Sequence, residues 1–403
     1  MCPTFLATGE EYMSTRGRAN AIRAALELRF DGDDPLRTAE LEAALSNCLS
    51  CKACTTECPS NVNLALLKAE LTHARHQRDG LLLRERMLST VDLLGRLGCM
   101  MPSIANAALD SPWIRRLMSK TLGLTDKRPL PHYTKQRFDH WFANHVAALS
   151  ERRNGDATVR DRRYRSRGEV ILWDDTFVRY HEPHIGIAAV KVLEAVGFKV
   201  SLVKGRKCCG RPAFSQGNLE AAAEMGRHNL DLLHATQTRT PVLFLEPSCY
   251  SMFVEDYQEL KLRDAREVAK RCFPFEKFVD DLLERQPDAL RFDHQPTQVA
   301  IHAHCHAKAL AQPTYMARLA GRLPGRKATL LDTGCCGMAG AFGALDSKYG
   351  LSLKVAAPFV QKIGEQSDDT VFVASGTSCR HQIEHLTPVR PKHMAELLAE
   401  ALV

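Results

Sequence analysis

Apolar positions in the first eighty residues fall at helical spacing. Residues 16–28 align Ala19, Ile22, Ala25 and Leu26, residues 38–45 predict a second helix, and residues 62–76 offer Leu64, Leu66, Leu67 and Leu71 to one buried face. The second helix leads directly into a run of cysteines, so residues 1–80 read as a small α-helical domain built around what those cysteines hold. The pattern stays helical over 93–100 and 104–117. It then turns irregular through Lys127-Arg-Pro-Leu-Pro-His132 and the charged stretch 151–167, which makes 81–165 a helical connector with a boundary near 165. From residue 169 short β-rich runs alternate with helical ones. Strands are expected at 170–173, 199–203, 242–245, 299–303, 328–331 and 370–373, and helices at 186–196, 219–233, 315–323 and after Ser378. Such alternation predicts βα units and a mostly parallel sheet, and hence an α/β fold overall.

The β-rich part repeats itself. Cys208-Cys209-Gly210 recurs as Cys335-Cys336-Gly337, and Pro247-Ser248-Cys249 recurs as Thr377-Ser378-Cys379. A third correspondence sets Asp174-Asp175-Thr176 against His304-Cys305-His306, at the ends of the first strands. The expected organisation is two duplicated α/β lobes, 166–290 and 291–403, each with cysteines just beyond strand C-termini, where ligand groups collect in open α/β sheets.

The 403 residues leave room for several cores without disulfides. The balance of 54 Lys plus Arg against 47 Asp plus Glu carries no basic run interleaved with aromatics, which argues against nucleic-acid binding. No charge-free apolar stretch approaches the roughly 18 residues of a transmembrane helix. Glu10 and Glu11 follow too soon for a signal peptide. The cytoplasm is the expected compartment, with a peripheral place on the inner face of the membrane also compatible. There, fourteen clustered cysteines point to metal or redox chemistry rather than disulfides.

The run Cys48-Leu-Ser-Cys51-Lys-Ala-Cys54-Thr-Thr-Glu-Cys58-Pro59 has the CxxCxxCxxxCP spacing of bacterial [4Fe–4S] ferredoxins. Its two-residue gaps let one loop reach three corners of a cluster, while the fourth cysteine reaches a different cluster. A distant Cys-Pro should then complete the first cluster, and Cys2-Pro3 supplies one. The first cluster is expected on Cys48, Cys51, Cys54 and Cys2, and Cys58 should serve a second. The other three cysteines of that second cluster would have to precede Cys2. The expectation is therefore that the chain is cut from a longer one or is a subunit whose partner supplies the loop, with an unliganded Cys58 as the third option. Cys305, Cys335, Cys336 and Cys379 make a complete set of four thiols in the second lobe. The first lobe offers only Cys208, Cys209 and Cys249. Either set is a redox or second-centre candidate, or a structural remnant. Cys99, close to Leu93, Leu94 and Leu97, and Cys272 are expected as packed thiols.

These motifs carry a resemblance. The stretches 1–5, 14–20, 48–59, 172–177, 208–212, 246–249, 304–306, 334–340 and 378–380 resemble the C-terminal iron–sulfur and cysteine-rich half of FAD-linked D-2-hydroxyacid dehydrogenases of the D-lactate or D-2-hydroxyglutarate type. More distantly the chain is similar to iron–sulfur subunits of glycolate oxidase and anaerobic glycerol-3-phosphate dehydrogenase and to the catalytic subunit of heterodisulfide reductase. The resemblance implies an electron relay, from FAD on a missing domain or partner oxidase subunit through one or more [4Fe–4S] clusters to a quinone or another carrier. Alone, the chain should not oxidise a hydroxy acid. One alternative is a thiol or disulfide oxidoreductase of the heterodisulfide-reductase kind. Against it, Cys249 is followed by Tyr-Ser-Met and Cys379 by Arg-His-Gln, so neither repeat ends in CxxC. The other alternative is a structural or assembly module stabilised by a cluster. No catalytic residue is assigned. On a continuing strand, His302, His304 and His306 would share one face with Cys305 on the other, as proton acceptors or simply hydrogen-bonded at the strand end. Arg16, Arg18 and Asn20 are expected to face the flavin module or the lobes.

Overall fold

Short parallel strands organise the chain after residue 168. β1 (Glu169–Trp173), β2 (Lys199–Ser201), β3 (Val242–Phe244) and β4 (Cys272–Pro274) form a sheet in the order β2-β1-β3-β4. β5 (Thr297–Ile301), β6 (Arg326–Leu330) and β7 (Val371–Val373) form a second in the order β6-β5-β7. All pairings are parallel, with Leu172 beside Leu243 and Ala300 beside Phe372. Six of these strands are legible in the sequence. β4 escapes because a three-residue Cys-Phe-Pro segment ending in proline reads as loop. In the second sheet its place is held by one parallel bridge from Val373 to Lys392. This computed structural model describes residues 2–27, 29, 34, 36, 38–155, 167–235 and 239–403. Met1, Leu28 of the first expected helix, and residues 156–166 with the expected boundary near 165 lie outside them.

Strands in a parallel sheet are covered on both faces and need apolar side chains throughout. Val170, Leu172, Leu243, Val299, Ile301 and Val373 belong to one core that spans both sheets. Helices make it continuous. Pro183–Val196, the long helix after β1, packs on Met394–Glu400, and Thr314–Gly321, the long helix after β5, packs on Phe275–Arg285. Each lobe lays its first long helix on the last helix of the other, the reciprocal contact of a twofold-related pair. Polar ties join the same halves: Arg380 Nη2 lies 2.7 Å from Glu182 Oε2, and the Thr377 N–H donates to Glu246 Oε2 at 2.8 Å.

The N-terminal segment is helical as its pattern requires. Thr15–Leu26, Ala39–Ser46 and Leu64–Asp79 bury Ile22, Ala25, Leu41, Leu45 and Leu64 together. Ser14 and Thr38 cap the first two by accepting the N–H groups of Gly17 and Leu41. A side chain at position 17 would meet the Glu11 carbonyl oxygen at 2.0 Å, so only glycine fits there.

The connector differs from expectation in three ways. Residues 104–117 are split into Pro102–Asp110 and Pro112–Leu122, because Pro112 starts a new helix at its first turn. The helix Phe138–Gly155 fills the interval between the two stretches expected to be irregular and runs into the second of them. Cys99 is only half-buried, its thiol donating to the Tyr180 carbonyl at 3.4 Å, and Leu93 and Leu97 are exposed. The packed face of Val91–Gly98 is its glycine face, where a Cβ on Gly95 or Gly98 would strike the Tyr180 or Tyr133 ring at 2.6 or 2.5 Å. Cys272 is buried as expected, its thiol 3.2 Å from the Val268 carbonyl. Among the described residues no helix is long and apolar enough to cross a membrane.

Candidate functional site

The cysteine run is wrapped tightly by two residues in the left-handed conformation, Ser50 (φ 52°) and Lys52 (φ 61°). Cys48, Cys51 and Cys54 line one cavity, and Cys2 joins them from the start of the helix Pro3–Thr8. Burial and the neighbouring thiols of Cys305, Cys48 and Cys2 push Cys51 up. Cys2 goes the other way: against the upward push of burial, the Arg18 guanidinium and the Thr4 hydroxyl hold its thiol below the usual value. Arg18 Nη1 lies 2.9 Å from Cys2 Sγ, while its other nitrogens donate to the carbonyls of Ala44 and Asn47 and to Thr4 Oγ1. Arg18 is fully buried, so it does not face a flavin module or the lobes as expected. It sits on the stripe of Ile22 and Ala25, at i, i+4 and i+7, and that periodicity could have marked it. Cys58 stands apart from this cavity. The N–H groups of Val62, Ser60 and Asn61 point at its sulfur and hold it below the usual thiol value.

The second lobe gathers its four thiols where β5, β6 and β7 end. Cys305 opens the helix Cys305–Leu310, Cys335 and Cys336 lie in the loop after β6, and Cys379 lies in the first turn of Thr377–Leu386. Cys335 is within hydrogen-bond reach of Cys305 and Cys336, and Cys336 of Cys379. Hydrogen bonds from Cys335 push Cys305 and Cys336 well below the usual thiol value, and Cys335 and Cys379 move up in return. Gly337 at φ 81° makes the turn; a Cβ there would meet the Ser352 carbonyl at 2.4 Å.

The three histidines do not share a strand face, because β5 stops at Ile301. His302 Nδ1 meets Thr333 Oγ1 at 2.7 Å, and burial lowers its pKa to about 3. His304 caps the following helix by accepting the His306 N–H at Nδ1. The Cys305 thiolate, outweighing burial, would raise His304 to about 9, but an imidazolium has no lone pair at Nδ1 to accept that N–H. Cap and charge exclude one another, and the cap geometry requires the neutral ring. His306 is kept neutral by burial and donates from Nε2 to the Ser50 carbonyl at 3.1 Å.

That last contact brings the two thiol groups together. Leu49, Cys51, Cys305 and Cys335 share one apolar cluster with Phe342 and Val355. On the other side Lys52, buried, pairs with Asp256 Oδ1 at 2.9 Å and with Glu255, and Arg211 of the first Cys-Cys-Gly segment binds the same Asp256. The cysteine loop is thereby held to both lobes, through residues within its own two-residue gaps.

The first lobe falls short of a fourth thiol. Cys249 Sγ lies 2.9 Å from Cys209 Sγ, and Cys208 is also buried beside Cys209. Despite the hydrogen bond to Cys209, burial and Asp175 push Cys249 up to about 11. Asp175 is the cap of the helix after β1, as His304 is after β5, so Thr176 and not Asp175 takes the position of Cys305. Burial and the charge of Glu246 raise Asp175 to about 7. Among the described residues no three His, Cys, Asp or Glu side chains converge on a single metal ion. A cluster makes a different demand, sulfurs spread around a larger body, and the four thiols lining the first cavity are that kind of donor set.

Comparison with known proteins agrees with this division. Residues 1–62 match the family model described as a 4Fe-4S dicluster domain, and residues 176–254 and 299–384 each match the cysteine-rich domain. The C component of the anaerobic glycerol-3-phosphate dehydrogenase of Escherichia coli is 28% identical over 328 residues, 79% of this chain and 77% of its own length. The D-2-hydroxyglutarate dehydrogenase of Pseudomonas putida is 27% identical over 441 residues, covering 99% of this chain but 41% of the relative. The lactate utilization protein A of an Exiguobacterium species is 26% identical over 242 residues, 55% of this chain and 92% of its own. The chain thus joins a 4Fe-4S dicluster domain to a pair of cysteine-rich domains, and it is a relative of these dehydrogenases and lactate utilization proteins.

Proposed function

We propose that this chain is the iron–sulfur electron-transfer component of a flavin-dependent 2-hydroxyacid dehydrogenase or oxidase. Its units are the [4Fe–4S] domain 1–80, the connector 81–165 and the lobes 166–290 and 291–403. Cys48, Cys51, Cys54 and Cys2 would hold a [4Fe–4S] cluster, which when bound supplies one-electron transfer in a buried setting. Cys58, turned away from that cavity with three N–H groups on its sulfur, would serve a second cluster. Electrons would arrive from FAD on a partner domain or subunit and leave for a quinone or another carrier, at the cytoplasmic side of the membrane. The observation that carries this reading is the seat of the cysteine loop directly against Cys305 and Cys335, with His306 gripping Ser50. Arg18 balances charge at Cys2, and the Lys52 and Arg211 pairs to Asp256 fix the loop in place.

The test is anaerobic stopped-flow with the iron-reconstituted chain, photoreduced FAD as donor and a water-soluble quinone as acceptor. The cluster absorbance should bleach on mixing with the donor and recover as quinone is reduced, and Cys54→Ser should abolish both. A 2-hydroxy acid added without flavin should leave the spectrum unchanged. Bleaching by the hydroxy acid alone, or quinone reduction that survives loss of Cys54, would contradict the proposal.

A further inference from the structure

Nine of the fifteen most exposed large apolar side chains of the described residues lie between Leu82 and Leu117. Three consecutive helices carry most of them, and in each the inward face is fixed by a contact. Val91–Gly98 packs Gly95 and Gly98 on two tyrosine rings, Pro102–Asp110 bonds Asn106 to the Tyr133 backbone, and Pro112–Leu122 bonds Arg115 to the carbonyls of Asp126 and Arg128. Counting 100° per residue from those anchors, the opposite faces hold Leu93, Leu97, Ile104, Trp113 and Leu117, with Met100 in the first link. Trp113 is 70% and Met100 72% exposed.

The charges of the segment divide by sign. Its acids are engaged with the protein: Glu85 with His76, Asp92 with Arg206, and Asp110 with His132. Arg86, Arg96, Arg116 and Lys120 are exposed and make no ion pair among the described residues. Apolar side chains with a tryptophan, flanked by long cationic ones free to reach outward, form the surface that seats in the headgroup boundary of an anionic bilayer. Another protein would be met here with cations lacking acidic counterparts. Among the described residues no helix crosses a membrane, so the contact would be in-plane.

We propose that the outer face of residues 82–120 docks on an anionic lipid surface. The inference deepens the peripheral location suggested above and rests on that reading for where such a surface is met. Its test needs neither iron nor an electron donor, so it can fail independently. The same segment continues into the second lobe, where the Thr125 N–H donates to Ala344 and Arg128 Nε to Gly343, so docking would present the Cys-Cys-Gly end of that lobe to a lipid-soluble carrier.

The experiment is flotation of the full chain with vesicles of phosphatidylcholine alone or mixed with phosphatidylglycerol. Binding should be about tenfold greater on the anionic vesicles and fall with added salt. Leu97→Glu with Trp113→Glu should abolish flotation, and Arg96→Glu with Arg116→Glu should remove the preference for anionic lipid, with circular dichroism unchanged in all. Emission of the wild-type chain should shift to the blue on anionic vesicles, and that shift should vanish in Trp113→Phe. Absence of flotation, or equal flotation of wild type and both double variants, would overturn the proposal. So would variants that leave vesicle binding intact but dissolve a dimer or release a flavoprotein partner, which would identify the face as a protein interface.

Discussion

His306 Nε2 donates to the Ser50 carbonyl across 3.1 Å, so the helix that begins with Cys305 holds the peptide next to Cys51. The bond needs a proton on Nε2, and because burial keeps the ring neutral, it selects the tautomer that carries its proton there. Replacing the donor without removing bulk, as in His306→Phe, should cost about 0.5–1.5 kcal/mol, because the half-buried carbonyl loses its partner. Anaerobic denaturant melts read the cost. Iron content should not change, since no cysteine is touched; loss of iron would show that His306 supports the cluster cavity itself.

Arg18 should matter to the cluster through Cys2. In Arg18→Lys the charge survives, but one ammonium cannot serve Cys2, Thr4 and two carbonyls from the positions the planar fork reaches. Iron release to a chelator is expected to accelerate in both Arg18→Lys and Arg18→Met. Release at the wild-type rate in Arg18→Lys would mean that charge alone is what Cys2 requires.

Lys52 and Asp256 form a buried pair between the cysteine loop and the first lobe. Lys52 keeps Glu255 and Asp256 keeps Arg211 when the other is removed, so Lys52→Met or Asp256→Asn should destabilise by about 1–3 kcal/mol, below the cost of a wholly unpaired buried charge. The double variant should lose clearly less than the sum of the two. Additive losses would show that the pair does not couple loop to lobe.

Glu182 couples the lobes through Arg380, whose charge outweighs burial and draws the carboxyl down to about 2. A carboxylate with a lowered folded-state pKa adds stability above its ordinary value near 4.5, and that stability is lost as pH falls from there toward 2. The loss should be about 3 kcal/mol. Denaturant melts at stepped pH should show this acid limb in wild type and a shallower one in Glu182→Gln. An identical limb in the variant would place the titration elsewhere.

Much of this was legible in the sequence because periodicity and motif spacing are local. Among the described residues, six of the seven strands, the helices around the cysteine run and the duplicated Cys-Cys-Gly segments follow from such patterns. What escaped was set by contacts distant in sequence. Arg18 reads as a surface cation until Cys2, Ala44 and Asn47 surround it. Nothing local marks Lys52, whose partner Asp256 lies 204 positions away. The mistaken burial around Cys99 has the same origin. Apolar spacing marks a stripe but not which side is covered, and here the glycines lie against the protein while the leucines face outward.

We propose that the second-lobe thiols, seated against the cysteine loop through Cys51, Cys305 and Cys335, form a redox centre of their own beside the [4Fe–4S] cluster. Iron and sulfide counts with EPR of the dithionite-reduced chain, prepared anaerobically as wild type, Cys54→Ser and Cys335→Ser, test it most directly. The wild-type chain should carry more than about four irons, one signal should be lost in Cys54→Ser and a different one in Cys335→Ser. About four irons with a spectrum unchanged by Cys335→Ser, or a full cluster signal surviving Cys54→Ser, would contradict the proposal.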